Sequence, residues 1–297
     1  YLSLLKEGEI LLLKSKDAYF KTHYSSSPLN VATNFSGTEG EAILEKNGKI
    51  TLFVDTRYHI LSQKQAFSDI QIYRMDLGET FFDAFKKCYK KNTILYIPND
   101  ILLKDYLQFD SYFDLRTYKL KKSFLKNTDY NKNAPLYLVS EKIEKNDFLS
   151  KAQKLEKVFL DKDKILILNL DEIAYLTNLR SFQTKNSSLF KSILYLDYKN
   201  SNYILFVEKI PKKVEIPGLK FEKLSGFSNF IQSLEEKIYI EHKDITLDKF
   251  LSIKIPCEIN KNPIPFIASI KTKEEIEVIK NASKKLDNAI FNFKNAL

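Results

Sequence analysis

The sequence predicts an α/β protein built from two similar halves, and three observations carry that prediction. Short apolar runs of strand length alternate with segments of helical period along the whole chain. The chain has 297 residues, more than one ordinary small domain and about right for two. Two motifs also recur in the same order. Ala32-Thr33-Asn34-Phe35-Ser36 is paralleled by Leu176-Thr177-Asn178-Leu179-Arg180, and Leu52-Phe53-Val54-Asp55 by Leu205-Phe206-Val207-Glu208. The asparagines lie 144 residues apart and the phenylalanines 153, so a nine-residue insertion separates the pairs, as a duplication would leave them.

In the first half, strands are expected at 10–13, 43–44 and 51–54. The segment 79–91 places Phe81, Phe85, Cys88 and Tyr89 on one helical face. A strand at 93–97 stops at Pro98, a helix follows at 100–109, and 113–118 is a further strand. The stretch KKSFLKNTDYNKNAP, 121–135, is polar, has no apolar period and ends on Pro135, which marks a linker. The second half opens with a lysine- and glutamate-rich amphipathic helix at 141–160. A buried strand is expected at 165–168, a short helix at 171–176, and strands at 192–196 and 203–207. A helix at 227–236, a strand at 238–241 and a short helix at 247–251 complete it, before Pro256, Pro263 and Pro265 punctuate a second linker. The last segment starts with a capping box, Thr272-x-x-Glu275. Ile276, Ile279, Ser283, Leu286, Ile290, Phe293 and Leu297 then recur at alternating spacings of three and four, one apolar stripe on a helix of about 25 residues. Nothing follows to cover that stripe, so the helix either packs back on the second domain or opens a further domain that has been cut off, and the second is expected. The expected divisions are 1–134, 135–262 and 263–297.

Composition excludes several classes. At 44% hydrophobic and 29% charged the chain can bury a core and is not disordered. No apolar run reaches the roughly 18 residues of a membrane span, so no membrane partner is expected. The net charge of +9 rests on lysine: four of the 47 basic residues are arginines (Arg57, Arg74, Arg116, Arg180). Readers of nucleic acid favour arginine for bidentate contacts. Here the lysines are scattered among glutamates in a chain also rich in Asn, Ile, Tyr and Phe, the set AT-rich codons encode; no nucleic-acid partner is expected. The two cysteines, Cys88 and Cys257, make no disulfide framework and have no metal-ligand spacing, which points to a reducing, cytoplasmic setting. The opening YLSLLKEGEILLLKSK is broken by charges and is no signal peptide; because it starts on Tyr1, processing or truncation is expected to have removed a start.

Catalytic constellations are sparse. The three histidines, His23, His59 and His242, have no metal-ligand spacing between them and are expected at the surface or in packing roles. Glu241-His242-Lys243-Asp244 sets acid beside imidazole, but neighbouring strand residues point to opposite faces. No nucleophile elbow or glycine-rich phosphate loop is present, and Asp171-Glu172 falls where the first turn of a helix favours negative charge. One loop stands out. Asn34-Phe35-Ser36-Gly37-Thr38-Glu39-Gly40 gathers two of the seven glycines between apolar runs. It is either a tight turn needing positive φ or a loop presented to a partner or substrate, and residue chemistry alone favours the turn.

FSGTEGEAIL followed by ITLFVDTRYHILSQKQ resembles the first domain of the Xaa-Pro aminopeptidases (aminopeptidase P) of the creatinase and prolidase group. Members of that family typically carry a Phe-Thr-Gly-Ser-x-Gly loop, then a strand ending in an Asp-Gly-Arg-Tyr turn and a helix. The present chain keeps Phe35, Gly37, Gly40, Asp55, Arg57 and Tyr58, and substitutes Ser36, Thr38 and Thr56. LDEIAYLTNLRS, residues 170–181, is similar to the Leu-Asp-x-Ile-Ala-Trp-Leu-x-Asn-Leu-Arg-Gly signature of the second domain, with Tyr175 for Trp. The tail IKTKEEIEVIKNASKKLDNAI resembles the helix that opens the catalytic domain.

The resemblance implies two tandem creatinase-N-terminal-like domains, each a mixed β-sheet flanked by helices. It implies a parent enzyme, a cytoplasmic homodimer, that removes the residue preceding proline from peptides with proline at the second position. Two divalent metal ions, manganese, would sit in a C-terminal domain, leaving no catalytic residue, metal ligand or cofactor in this chain, whose role would be to shape substrate access and oligomer contacts. Arg57 and Tyr58 are the residues placed to bind substrate: an arginine can pair with a peptide carboxylate and a tyrosine can stack on a proline ring. A local role is the alternative, with Arg57 neutralising Asp55 and Tyr58 starting the next helix. Some relatives keep this architecture without the metal ligands and act as histone-chaperone-like binding modules, which is the rival reading of function.

Overall fold

A computed structural model describes residues 1–15, 27–119, 131–140, 146–159, 163–183, 187–241, 243–259 and 262–296. Of the sequence expectations, His23, His242, Leu297, most of the 121–135 linker and both ends of the 141–160 helix lie outside the described residues. The chain forms two compact units, Tyr1–Tyr130 with His242–Lys254, and Asn131–Glu241 with Ile255–Leu297.

In the first unit the apolar runs become strands β1 (Ile10–Lys14), β2 (Glu41–Glu45), β3 (Ile50–Val54), β4 (Gln71–Arg74), β5 (Ile94–Pro98) and β6 (Asp114–Tyr118). They form one sheet in the order β4-β3-β2-β1-β5-β6. Strands β1, β2 and β3 pair antiparallel, and β2 joins β3 through a tight turn at Asn47-Gly48, where Gly48 takes φ 88°. The outer pairs β3–β4, β1–β5 and β5–β6 are parallel. Helices α1 (Pro28–Thr33), α2 (His59–Gln65), α3 (Phe81–Cys88) and α4 (Leu103–Asp110) connect them. Leu11 and Leu13 pack with Leu29, Phe35, Leu52 and Val54 in one core cluster. An aromatic chain forms a second: Phe53 meets Phe85 at 4.6 Å, and Phe85 stacks on Phe109 at 5.7 Å. Burying each of these rings contributes about 1.5–3 kcal/mol.

The second unit repeats the plan. Its elements are β7 (Tyr137–Leu138), α5 (Phe148–Val158), β8 (Lys164–Ile167), α6 (Leu170–Thr177), β9 (Leu179–Arg180), β10 (Ser192–Asp197), β11 (Asn202–Val207) and β12 (Leu219–Lys223). There follow α7 (Phe227–Gln232), β13 (Ile238–Ile240), β14 (Cys257–Ile259), α9 (Ile264–Ser269) and α10 (Lys273–Ala296); α8 (Leu247–Ser252) lies in the first unit. The main sheet runs β12-β11-β10-β8-β13-β14, with the same parallel and antiparallel pairs at each position as the first. The strand carrying Leu52-Phe53-Val54 and the strand carrying Leu205-Phe206-Val207 hold equivalent places, as a duplication requires.

The other repeated motif has a local cause. Thr33 Oγ1 donates to Leu29 O (2.8 Å) and accepts from Phe35 N (3.2 Å), while Asn34 ends α1 at φ 62°. Thr177 Oγ1 donates to Ile173 O (2.7 Å) and accepts from Leu179 N (3.3 Å), while Asn178 ends α6 at φ 57°. Each threonine satisfies a helix carbonyl and the first amide after the helix, and each asparagine takes the left-handed turn that asparagine tolerates.

Several elements differ from the sequence expectation. The 79–91 helix is shorter because Thr80 caps its start, accepting from Asp83 N at 3.2 Å, and Cys88 is exposed in its last turn instead of joining the buried face. The sequence divisions keep 242–254 in the second half, whereas three backbone bonds tie that segment into the first unit: Leu103 N to Ile245 O, Leu247 N to Ile101 O and Asp248 N to Asn99 O, at 2.9, 2.7 and 3.0 Å. The capping box of the last helix is formed, with Glu275 N donating to Thr272 Oγ1 (3.1 Å) and Thr272 N to Glu275 Oε2 (2.8 Å). No described residue of α10 is buried, and Ile276, Ile279, Leu286, Ile290 and Phe293 stand exposed along it. Among the described residues no helix is long and apolar enough to cross a membrane.

Replacing Thr33 or Thr177 by valine keeps the shape but orphans a buried amide. Each change is expected to lower unfolding free energy by about 1–3 kcal/mol in urea titrations, with an unchanged m-value.

Candidate functional site

The motif residues of the first half converge on one ring. Phe35 leaves α1 directly after the left-handed Asn34 and is 1% exposed. The chain then wraps it so tightly that a Cβ on Gly37 would lie 2.1 Å from Phe35 Cζ, and one on Gly40 2.9 Å from Cε1. Neither glycine has positive φ; the left-handed position is Asn34. The expectation of a turn needing positive φ at these glycines is therefore corrected: they are required for close approach to an aromatic face. Asn34 Nδ2 donates to Gln65 O (2.8 Å), and Ser36 N and Oγ both donate to Gln65 Oε1 (3.0 and 2.9 Å), so the loop is pinned to the end of α2.

The second motif seals the same ring from the side. After β3, Asp55 caps a 3-10 turn at Thr56–Tyr58, accepting from Arg57 N at 2.9 Å. Arg57 closes a fork on the same carboxylate, Nε to Oδ1 at 3.1 Å and Nη2 to Oδ2 at 2.6 Å, while its side chain stays 65% exposed. The Arg57 hydrogen bond holds the Asp55 carboxyl below its ordinary value, and Asp55 in turn raises the guanidinium. The guanidinium carbon lies 5.4 Å from the Tyr58 ring centroid. That ring meets Phe35 edge-on at 5.6 Å, and its hydroxyl bonds Thr38 Oγ1 at 2.6 Å and accepts from Thr38 N at 3.3 Å. Arg57 thus faces outward while Tyr58 is committed to the loop. His59 Nε2 sits 3.2 Å from Met75 O, a packing role.

The second-half motif is built differently. Asn169 caps α6, accepting from Asp171 N at 3.0 Å, and Asp171 and Glu172 lie in its first turn, as the sequence predicts. Glu172 is buried and accepts from Asn262 Nδ2, at 2.7 Å to each carboxylate oxygen. Arg180 Nη1 donates to Ala174 O (2.6 Å) and Leu179 O (2.8 Å), and burial lowers its pKa. Sequence reasoning missed Lys151. It is 2% exposed, donates to Tyr175 O (2.8 Å) and Asn178 Oδ1 (2.6 Å), and lies 4.4 Å from the Tyr175 ring centroid. A positive charge at the C-terminal end of α6 suits the helix dipole there. Nothing in a lysine-rich helix sets this lysine apart before the fold brings α6 against it.

Among the described residues no group of three or more His, Cys, Asp and Glu side chains is placed to hold a metal ion. The geometry shows a rigid loop and an outward-facing arginine, an arrangement that can bind and orient a partner group.

A family model described as the creatinase/prolidase N-terminal domain matches residues 127–275. No curated protein sequence matches the chain. In structure, the chain is similar to an X-prolyl aminopeptidase from Caenorhabditis elegans, described as a cytosolic enzyme with a di-nuclear active site. The TM-score is 0.77 at 13% identity, over 93% of this chain and 49% of that one. A Xaa-Pro dipeptidase from Bacillus anthracis matches at TM-score 0.30 and 14% identity, over 75% of this chain and 64% of its own. The aminopeptidase P of Streptococcus thermophilus gives TM-score 0.27 and 17% identity, over 37% and 79%. The first of these likenesses is one of fold, and the chain spans about half the length of that worm enzyme.

Two outcomes follow for this site. Gly37→Ala is expected to destabilise by about 1–3 kcal/mol, because the added methyl must displace the Phe35 ring; thermal unfolding checks it. Asp55 has a depressed folded pKa, so its contribution is present above its ordinary value of 3.8 and is lost as pH falls through the lower folded value. The stability gap between the native chain and Asp55→Asn should therefore be full at neutral pH and close progressively below 3.8.

Proposed function

The chain belongs to the creatinase/prolidase N-terminal domain family, and from that membership we propose that it is the non-catalytic N-terminal region of a metal-dependent Xaa-Pro aminopeptidase. The observation that carries the reading is the fold shared with an X-prolyl aminopeptidase along nearly all of this chain. In this reading the parent protein removes the residue preceding proline from peptides with proline at the second position, and it works as a cytoplasmic homodimer. The two manganese ions the reading calls for find no ligand set among the described residues, so no step is assigned to them here. The part left to this chain is to shape access and to position substrate.

Arg57 is the residue proposed for substrate contact, and Tyr58 is proposed to position it. The exposed guanidinium, preset by the Asp55 fork, can receive a peptide carboxylate without first losing its conformational freedom. Tyr58 fixes the turn that aims it, through the bond to Thr38.

The reading is tested by expressing the complete gene product and following release of the N-terminal residue from Xaa-Pro peptides, with and without manganese. Metal-dependent release by the complete protein, and none by the 297-residue chain alone, is expected; a complete protein that binds partners but cleaves nothing would favour the binding-module alternative. In the active protein Arg57→Ala should raise KM more than it lowers kcat. Unchanged kinetics with a lowered melting temperature would assign Arg57 to the fold alone.

A further inference from the structure

The first unit's sheet changes its direction of growth at β1. The chain lays β2, β3 and β4 on one side of β1, then crosses over and lays β5 and β6 on the other. Such a switch point leaves a crevice beyond the carboxyl ends of the parallel strands, where ligands of open α/β sheets bind. A cavity of about 320 Å3 lies there, bounded by Lys14, Pro98 and Tyr118, the last residues of β1, β5 and β6. That volume is at the small end of ligand pockets.

Its floor is charged. Lys14 Nζ lies 2.8 Å from Glu41 Oε1 and 2.8 Å from Asp105 Oδ2, with the three side chains 15%, 9% and 24% exposed. Burial alone would lower the lysine's pKa, but the two carboxylates outweigh it and raise it above its ordinary value. The duplicated unit shows that the fold does not require this floor. Leu13 pairs with Ala42, which pairs with Leu52; in the second unit Ile167 pairs with Leu194, which pairs with Leu205. One residue along from these, Leu168 and Ile193 stand where Lys14 and Glu41 stand, and they are 5% and 1% exposed. Replacing a buried ion pair by packed apolar residues is often neutral or stabilising, and the second unit carries that replacement. A charged floor beneath an open cavity therefore points to a ligand.

The walls carry both signs. Glu39, Asp100, Lys104 and Lys243 all line the cavity, and Ile101 and Leu102 add apolar residues to the lining. We propose that this cavity binds a small zwitterion of the amino-acid class, a free amino acid or a dipeptide. Its ammonium faces the Glu41 and Asp105 carboxylates and its carboxylate faces Lys104 and Lys243. The proposal uses the geometry of the first unit alone and does not depend on the peptidase reading.

Isothermal titration calorimetry of the 297-residue chain with glycine, L-proline and glycyl-L-proline tests it, with acetate and ethylammonium as single-charge controls. Saturable one-to-one binding of at least one zwitterion is expected, about tenfold or more tighter than either control. Lys104→Glu, on the exposed rim, should weaken that binding about tenfold with an unchanged melting temperature. The triple variant Lys14→Leu, Glu41→Ile, Asp105→Asn copies the second unit's solution in two positions and should fold while losing the binding. No saturable heat from any of the three up to about 10 mM, or equal binding of the controls, overturns the proposal. If the triple variant does not fold, Lys104→Glu decides alone, and unchanged affinity overturns the proposal.

Discussion

A helix that leaves through a left-handed turn needs a residue that tolerates positive φ at its end and a partner for the amide that follows. Both halves of this protein meet the two needs with a Thr-Asn pair. Thr33 and Thr177 each bridge a helix carbonyl to the first amide beyond the helix, and Asn34 and Asn178 each take the left-handed turn. The asparagine side chains then fasten the exit to the rest of the unit, Asn34 to Gln65 O and Asn178 to Asn146 O, at 2.8 Å in each case. The position of Phe35, the loop wrapped around it and the strand that follows all depend on this exit.

From that shared exit the two units diverge in what they pack. In the first, the chain folds around an aromatic ring, which excludes any side chain at Gly37 and Gly40 and brings Tyr58 against the ring's edge. In the second, the exit lies beside Arg180, which donates to carbonyls of α6 and of Leu179, and beside Lys151, which bonds Asn178 itself. The first unit closes its exit with apolar contact and a tyrosine hydroxyl; the second closes it with a buried lysine and a half-buried arginine on a helix C-terminus. The same backbone plan thus supports different surfaces, and the outward-facing arginine of the candidate site belongs to the first unit only. The Lys14, Glu41 and Asp105 cluster marks a second divergence, since the equivalent pair in the other unit is leucine and isoleucine.

What could be read along the chain was whatever is coded by short-range pattern. Central strands such as Ile10–Lys14 and Ser192–Asp197 are built on runs of buried apolar residues, 10–13 and 193–196, and the Thr272-x-x-Glu275 capping box sets its own hydrogen bonds. Edge strands were less legible. Gln71–Arg74 has no buried residue and Leu219–Lys223 has one, so neither presents an apolar run, and each exists because a neighbouring strand offers it a parallel ladder. The glycines of the Phe35 loop were visible, but the reason for them was not: the constraint is a distance to a ring, which no spacing rule encodes.

The sequence by itself determined the α/β class, the two-fold repetition and the motif residues of the candidate turn, because periodicity, turn chemistry and repeated words are local properties. Only the tertiary structure decided that Arg57 faces outward while Tyr58 is held by Thr38, that 242–254 completes the first unit, and that Lys14, Glu41 and Asp105 meet beside a cavity. Lys14 and Asp105 lie 91 residues apart in the chain. Their meeting is settled by strand order and by the crossover from one side of β1 to the other, and sheet order is a long-range choice that local side-chain patterns do not carry.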